Sequence, residues 1–381
     1  MRVAHVVRQY LPSVGGMEEV VRNLVAYQTK ASEYEPSVIT LNRVFRDPIN
    51  VLPEQDLLED IPVQRLAYTG SERYPFCLQI LRAVASFDLV HVHGVDFFFD
   101  YLASTRLLHR KPLIASTHGG FFHTQFAQTL KKVFFHTVTR TSCLGYQRVI
   151  ATSNNDGDIF SKVTKAPRLL TIENGVDIEK FCNTSSQELK PSIIYFGRWS
   201  VNKGLLEALQ VFAELCRQQV DVPWEFAIAG REYDLTAQDL RHAASELGVA
   251  QRIHIYVSPS NAQINEILAG ASYFLCLSKH EGFGIAPVEA MSAGLLPLLS
   301  HIPPFEQLVR NTGVGLILPP GPAANLASLI AAKHTQSISN RSTLHDTERA
   351  RAISASQSFS WDKVGALYSE QYAQVLHRGS K

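Results

Sequence analysis

Residues 281–294 read EGFGIAPVEAMSAG: two glutamates with seven residues between them, a glycine-broken turn after the first, and an apolar helical stretch carrying the second. Residues 271–277 (ASYFLCL) predict a buried strand, which Ser278, Lys279 and His280 leave. The unit is strand, tight loop, helix, with Glu281 at the loop's start and Glu289 about two turns into the helix. Gly282 and Gly284 carry no Cβ, so backbone can approach a ligand closely there. The N–H groups that open the helix have no intrahelical partners and sit at its positive end, which suits an anionic or hydroxyl-rich ligand. A carboxylate on either side could hold sugar hydroxyls; capping alone is the competing reading of the bare spacing.

A chain of 381 residues with 45% hydrophobic content predicts two packed domains. A formal net charge of +1 gives no support to bulk nucleic-acid binding. Five scattered cysteines, without a CxxC, read as free thiols in a reducing compartment. No apolar run is long enough to span a membrane, and no signal peptide is evident. The expectation is a cytoplasmic protein, peripheral on the inner face of the cell membrane at most.

Residues 2–7 predict a strand, 9–16 a loop ending in Gly15 and Gly16, and 17–30 a helix with Val20, Val21, Leu24 and Val25 on one side. Strands are expected over 35–41, 61–67, 88–93, 112–117, 148–152 and 168–173, and the helical stretches between them favour a doubly wound parallel sheet. Residues 42–60 read as an irregular surface excursion. His91 and His93 share one face at a strand end, without a third metal ligand at a convincing spacing. His118 ends the next strand at the same edge, where ligands of open α/β sheets gather. No Asp or Glu occurs between Tyr101 and Asn155, an interval holding Arg106, Arg110, Lys111, Lys131, Lys132, Arg140 and Arg148 among phenylalanines. It reads either as a solvated basic face or as a surface for anionic lipid. Asp156 and Asp158 spell DxD, but they follow a strand and open a helix, so capping is the preferred reading.

The polar stretch 183–191 predicts the domain boundary. Beyond it, 192–197 is a strand leading to Arg198, Lys203 and a helix. Arg198 can fork onto phosphate oxygens, Lys203 adds a point charge, and the helix start adds backbone donors. Strands are expected at 224–230, 252–258 and 295–300, a helix at 261–268, a turn at 301–306, and a last helix at 363–377.

SxxEGFG followed by PxEAMSAG, together with GRWSVNKG, STHGG and ENGVD, resembles glycosyltransferase family 4, and the resemblance covers essentially the whole chain. It implies the retaining GT-B fold: α/β, two Rossmann-like doubly wound parallel-sheet domains facing a cleft, the C-terminal helix crossing back to the first. The expected division is 1–185 for the acceptor, 186–358 for the nucleotide sugar, and 359–381 for that helix. The resemblance implies catalytic roles for His118, Glu281, Arg198 and Lys203. Donor binding falls to Gly16, Arg198, Lys203, Glu281, Gly282, Phe283, Gly284, Ile285 and Glu289, with Glu281 on the sugar and Glu289 on the ribose. Acceptor-side candidates are Gly15, His93, Asp96, Lys131 and Lys132. No metal or other cofactor is expected. The phrases HGVDFFFDYLA and STHGGFFHT look similar to mannosyltransferases of xanthan- and acetan-type exopolysaccharide assembly. That likeness implies GDP-mannose as donor, a polyprenyl-diphosphate-linked cellobiose as acceptor with an α-1,3 linkage, and an anionic membrane surface as partner. A uridine-sugar donor with another acceptor, or a sugar-nucleotide binder without catalysis, stay open as alternatives.

Overall fold

The computed structural model describes residues 1–13, 15–45, 47–72, 74–119, 132–339 and 343–378. It divides into two compact units, Met1–Gly175 with Trp361–Lys381, and Val176–Ser360.

The first unit is built on eight strands: β1 (Arg2–Val6), β2 (Glu35–Leu41), β3 (Gln55–Leu58), β4 (Ile61–Leu66), β5 (Leu89–His93), β6 (Leu113–Ser116), β7 (Arg148–Ala151) and β8 (Leu169–Thr171). Their order is β8-β7-β6-β5-β1-β2-β4-β3. All neighbours pair parallel except β3, which runs antiparallel to β4. The central strands β5 and β6 are buried at every residue, as strands covered on both faces must be. Helix Gly16–Ala31 lays Val20, Val21, Leu24, Val25 and Gln28 inward at spacings of one, three and four, and stops at Ser32 in the left-handed region. The C-terminal helix, Trp361–Arg378, buries Val364, Tyr368, Tyr372 and Val375 in one cluster with Val3, Leu24, Leu89, Ile114 and Ile150. It is an outer layer of the first sheet although it is last in the chain.

The 42–60 stretch is not irregular. Arg43–Val44 pairs antiparallel with Asp47–Val51, and β3 closes the sheet's edge. The burial of β3 alternates between exposed and half-buried, so its polar residues are the solvent face of an edge strand and mask the periodicity.

The second unit has six strands, all parallel: β9 (Ser192–Trp199), β10 (Glu225–Glu232), β11 (Ile253–Val257), β12 (Tyr273–Cys276), β13 (Leu296–Ser300) and β14 (Leu316–Leu318), in the order β11-β10-β9-β12-β13-β14. Two expectations change here. The units divide after Gly175, before the polar stretch 183–191, because that stretch is pinned to the second unit: the N–H groups of Asn183, Ser185 and Ser186 donate to the carbonyls of Ser292, Ala293 and Ala271. Val176 and Phe181 already belong to the second core. The turn expected at 301–306 is instead the start of helix Pro303–Thr312, with Phe305 and Leu308 buried. Paired prolines read as a turn, yet proline in a first helical turn gives up an N–H that had no intrahelical partner.

Candidate functional site

In the second unit, β9 delivers the anion-facing groups. Trp199 is fully buried and anchors the strand end, while the neighbouring Arg198 is exposed, its guanidinium 4.6 Å from the centre of the Tyr233 ring. That stacking holds a charged fork at the surface, with no carboxylate paired to it among the described residues. A single 3-10 turn, Val201–Lys203, then leads into Gly204 (φ 65°) and helix Leu205–Gln218. A Cβ on Gly204 would lie 2.1 Å from the Leu277 carbonyl oxygen, so the approach of this turn to the end of β12 requires glycine.

That approach joins the two motifs. Lys203 Nζ lies 2.5 Å from Glu281 Oε1, and the Ser278 hydroxyl donates to the same oxygen at 2.7 Å. Asn202 fastens the two loops, its Nδ2 donating to the His280 carbonyl at 2.7 Å and its carbonyl accepting from Lys279 N at 2.8 Å. Gly284, at φ 102°, turns the chain into helix Ile285–Ala293; a Cβ there would fall 2.9 Å from the Phe305 ring. Phe283, just before it, packs on Phe359 with ring centres 5.6 Å apart, and Ile285 is half-buried at the helix start. Gly282 has open space where a Cβ would stand. Glu289, the fifth residue of that helix, is ion-paired with Lys180 at 3.1 Å. Sequence reasoning misses Lys180. Its signal is proximity to ENGVD, a phrase that reads only as a domain end.

In the first unit the strand ends hold a cluster of histidines. His5 from β1, His91 and His93 from β5, and His118 just past β6 lie in sequence across the sheet. His93 Nε2 is 3.0 Å from His5 Nδ1, and His93 Nδ1 is 3.0 Å from His118 Nε2. His5 Nε2 meets Gln28 Oε1 at 2.8 Å. His91 bonds instead to Tyr372 OH (2.6 Å) and Ser116 Oγ (2.8 Å). Burial lowers all four pKa values: His5 and His118 fall to about 4, and His91 and His93 lie well below their usual range, with neighbouring histidines adding to the effect. His5 is the third imidazole that sequence spacing did not offer to His91 and His93; their ligand atoms lie within 4.8 Å of one another. The ring nitrogens of all three are directed at one another, at His118, at Gln28, or at hydroxyls. His93, an acceptor-side candidate, is 1% exposed, with its ring nitrogens on His5 and His118.

The remaining candidates separate. Asp96 is buried and caps helix Phe97–Ser104 through the N–H groups of Phe98 and Phe99, with Arg8 Nε 2.9 Å away; burial raises its pKa, and Arg8 opposes that. Its carboxylate is therefore committed to the fold. Gly15 is the extended N-cap of helix Gly16–Ala31, and a Cβ on Gly16 would meet nothing. Lys132 is exposed; Lys131 lies outside the described residues. The DxD residues do not share a site. Ser153 is the cap of helix Asn154–Phe160, Asp156 is buried and accepts from Thr117 Oγ1 at 2.7 Å, and Asp158 is exposed. Along the basic interval Arg148 is buried against Gln371 and Gln374, whereas Arg106, Arg110 and Arg140 are exposed beside Leu107 (88% exposed), Leu108 (74%) and Leu144 (60%). A groove of about 1220 Å³ adjoins them, walled by Tyr74, Phe76, Phe97 and Tyr101 and edged by Arg140, Lys162, Lys165 and Arg168.

The family model described as Glycosyltransferase Family 4 matches residues 14–180, and that of Glycosyl transferases group 1 matches residues 177–349. The chain is 45% identical over 376 residues to the GDP-mannose:cellobiosyl-diphosphopolyprenol alpha-mannosyltransferase of Xanthomonas oryzae, covering 99% of this chain and 97% of that protein. It is 41% identical to the Komagataeibacter xylinus protein of the same name, covering 99% and 94%. Among solved structures, a glycosyltransferase from Rickettsia africae superposes with a TM-score of 0.77 at 16% identity, covering 98% of each chain. Anabaena Alr3699/HepE in complex with UDP and glucose gives 0.73 at 20%, covering 98% of this chain and all of the other. At such identities the superpositions establish the fold, GT-B, with its two Rossmann-like α/β units.

Proposed function

The chain belongs to glycosyltransferase family 4, and on that premise we propose that it moves mannose from GDP-mannose, with retention and in α-1,3 linkage, to cellobiose carried on polyprenyl diphosphate. The observation that carries this reading is likeness to the cellobiosyl-diphosphopolyprenol mannosyltransferases along the whole chain, first unit included.

The geometry supports specific roles. Arg198 and Lys203 take the diphosphate, with the start of helix Leu205–Gln218 behind them, and stabilise the charge that grows as it leaves. Lys203 also donates to Glu281. A donor phosphate competes for that ammonium and frees a Glu281 oxygen for the sugar hydroxyls, while Ser278 keeps the carboxylate oriented. Glu289 takes the ribose, with Lys180 restraining it. Glu281 serves as a sugar anchor, so the acceptor attacks from the leaving-group face and the departing phosphate takes its proton. A trapped glycosyl-enzyme would overturn that mechanism.

The first unit takes the acceptor. Aromatic walls and four cations suit an isoprenyl diphosphate in the groove, and the exposed leucines among arginines suit an anionic membrane surface on the cytoplasmic side. Among the described residues no helix is long and apolar enough to cross a membrane. The proposed reaction uses no metal; what supports this is that Asp156 is buried and accepts from Thr117 Oγ1, whereas Asp158 is exposed.

The test is transfer by purified protein from GDP-mannose, UDP-glucose or UDP-N-acetylglucosamine to a cellobiosyl-diphosphate lipid, with and without EDTA. Transfer from GDP-mannose alone, unchanged by EDTA, is expected. Transfer only from a uridine donor rejects the mannosyl reading, and loss of activity in EDTA rejects the metal-free one. Binding to phosphatidylglycerol vesicles should fall in the double variant Leu107→Ser with Leu108→Ser; unchanged binding removes this surface as the anchor.

A further inference from the structure

His118 ends a continuous hydrogen-bonded row whose inner members cannot touch substrate. Gln28 and His5 are fully buried and His93 is 1% exposed, yet their polar atoms meet at 2.8, 3.0 and 3.0 Å in the order Gln28, His5, His93, His118. His91 stands outside this row, on Tyr372 and Ser116.

With the Gln28 amide oxygen facing His5, the proton count along the row has one solution. A neutral imidazole carries one ring proton, and each contact between two nitrogens needs one proton and one lone pair. Gln28 offers His5 its carbonyl oxygen, which can only accept, so the His5 proton sits on Nε2. Nδ1 of His5 is then bare and accepts from His93 Nε2. His93 Nδ1 is bare in turn and accepts from His118 Nε2. The last ring is left with an unprotonated Nδ1, which has no hydrogen-bond partner among the described residues. The backbone of His118 is at φ 51°, a conformation uncommon in non-glycine residues and costly to hold. Burial keeps all three rings neutral near pH 7, which the count requires.

We propose that Gln28, His5 and His93 are positioning residues that set the tautomer of His118 from within the sheet, so that His118 meets a substrate hydroxyl as a hydrogen-bond acceptor. This rests on the place over the donor sugar that the family resemblance implies for His118. The polarity of the row is decided at its buried end. Were Gln28 to present its amide N–H₂, every proton would move to Nδ1 and His118 would become a donor. One side chain on helix Gly16–Ala31 thereby determines what a ring three hydrogen bonds away can recognise.

The experiment is long-range ¹H–¹⁵N correlation of the histidine rings in full-length protein, paired with transfer kinetics using GDP-mannose. Wild type should show His5, His93 and His118 all protonated at Nε2. Gln28→Met and His5→Leu each remove an acceptor, and should move the His118 proton wholly or partly to Nδ1. Both should lower kcat/KM on the order of tenfold, as loss of one well-placed hydrogen bond does. His5→Asn returns a carbonyl oxygen to the position of Nδ1, and should restore both the tautomer and most of the rate. A His118 tautomer unchanged in Gln28→Met and in His5→Leu overturns the relay. So does uptake of one zinc per chain by wild-type protein, because the metal would need the lone pairs that the row uses. A shifted tautomer with wild-type kinetics overturns the functional claim. If His118→Ala itself transfers normally, the sugar-facing assignment fails, and the tautomer data still judge the relay separately.

Discussion

At the scale of single residues the candidate site holds two ion pairs, Lys203 with Glu281 and Lys180 with Glu289. Lys203 and Glu281 are only partly exposed, at 21% and 14% of their side-chain surface. A pair so placed contributes little net to folding, since the cost of taking both charges out of water offsets much of their attraction. Its worth is in the complex. Glu281→Gln should therefore melt within about 1 kcal/mol of wild type, while transfer from GDP-mannose falls roughly 10- to 100-fold through the lost charge-assisted bonds. Thermal melts beside kinetics check both halves, and near-full activity would remove Glu281 as the sugar anchor. Lys180→Ala should raise KM for GDP-mannose more than it lowers kcat, because a ribose contact is present in ground and transition states alike. Glu281, Glu289, Arg198 and Lys203 were all legible as motif residues. Lys180, Gln28 and His5 were not, because their partners lie 109, 23 and 88 positions away and only the fold brings them together.

At the scale of elements, function depends on how closely two turns approach. Gly204 allows the turn after β9 to reach the end of β12, which puts Lys203 on Glu281. Gly204→Ala adds a Cβ at 2.1 Å from a carbonyl oxygen in a left-handed backbone. The expected cost is about 3 kcal/mol or more, read as a lower midpoint in urea and a weaker response of stability to added GDP. An unchanged midpoint would mean that the turn relaxes freely. Element types were readable wherever hydrophobic periodicity was strong: Glu35–Leu41 and Asn261–Leu268 occur over the expected residues. The misread elements were edge strand β3 and helix Pro303–Thr312. In both, polar or proline residues conceal a structure set by neighbouring elements.

At the scale of the whole molecule, the two units draw on the chain differently. The second is continuous, Val176–Ser360, whereas the first needs its last helix from the far end of the chain. That helix supplies Tyr368 and Tyr372, both nearly fully buried, and Tyr372 bonds to His91. Ending the chain after Ser360 should abolish the cooperative melt of the first unit, while residues 176–360 made alone should still unfold cooperatively; calorimetry decides both. The units also differ in their response to acid. The buried histidines of the first unit have folded pKa values below the unfolded value near 6.5, so below pH 6.5 the unfolded chain binds protons that the folded one refuses. Stability should fall as pH drops from about 6.5 toward 4. The isolated segment 176–360, which holds the His334 pKa at about 4 through burial but lacks the cluster of four, should lose less over that window. Equal losses would argue that the histidines of the first unit are not held neutral.

The sequence by itself determined the fold class and the donor-side motifs, because alternating βα units and charged residues beside glycine-broken helix starts are local patterns. Only the tertiary structure decided where the units divide, which helix completes the first, and which side chains stand behind His118. Those depend on strand order: β1 and β5 are neighbours in space and far apart in the chain, and hydrogen bonds between their side chains exist only once the sheet has formed.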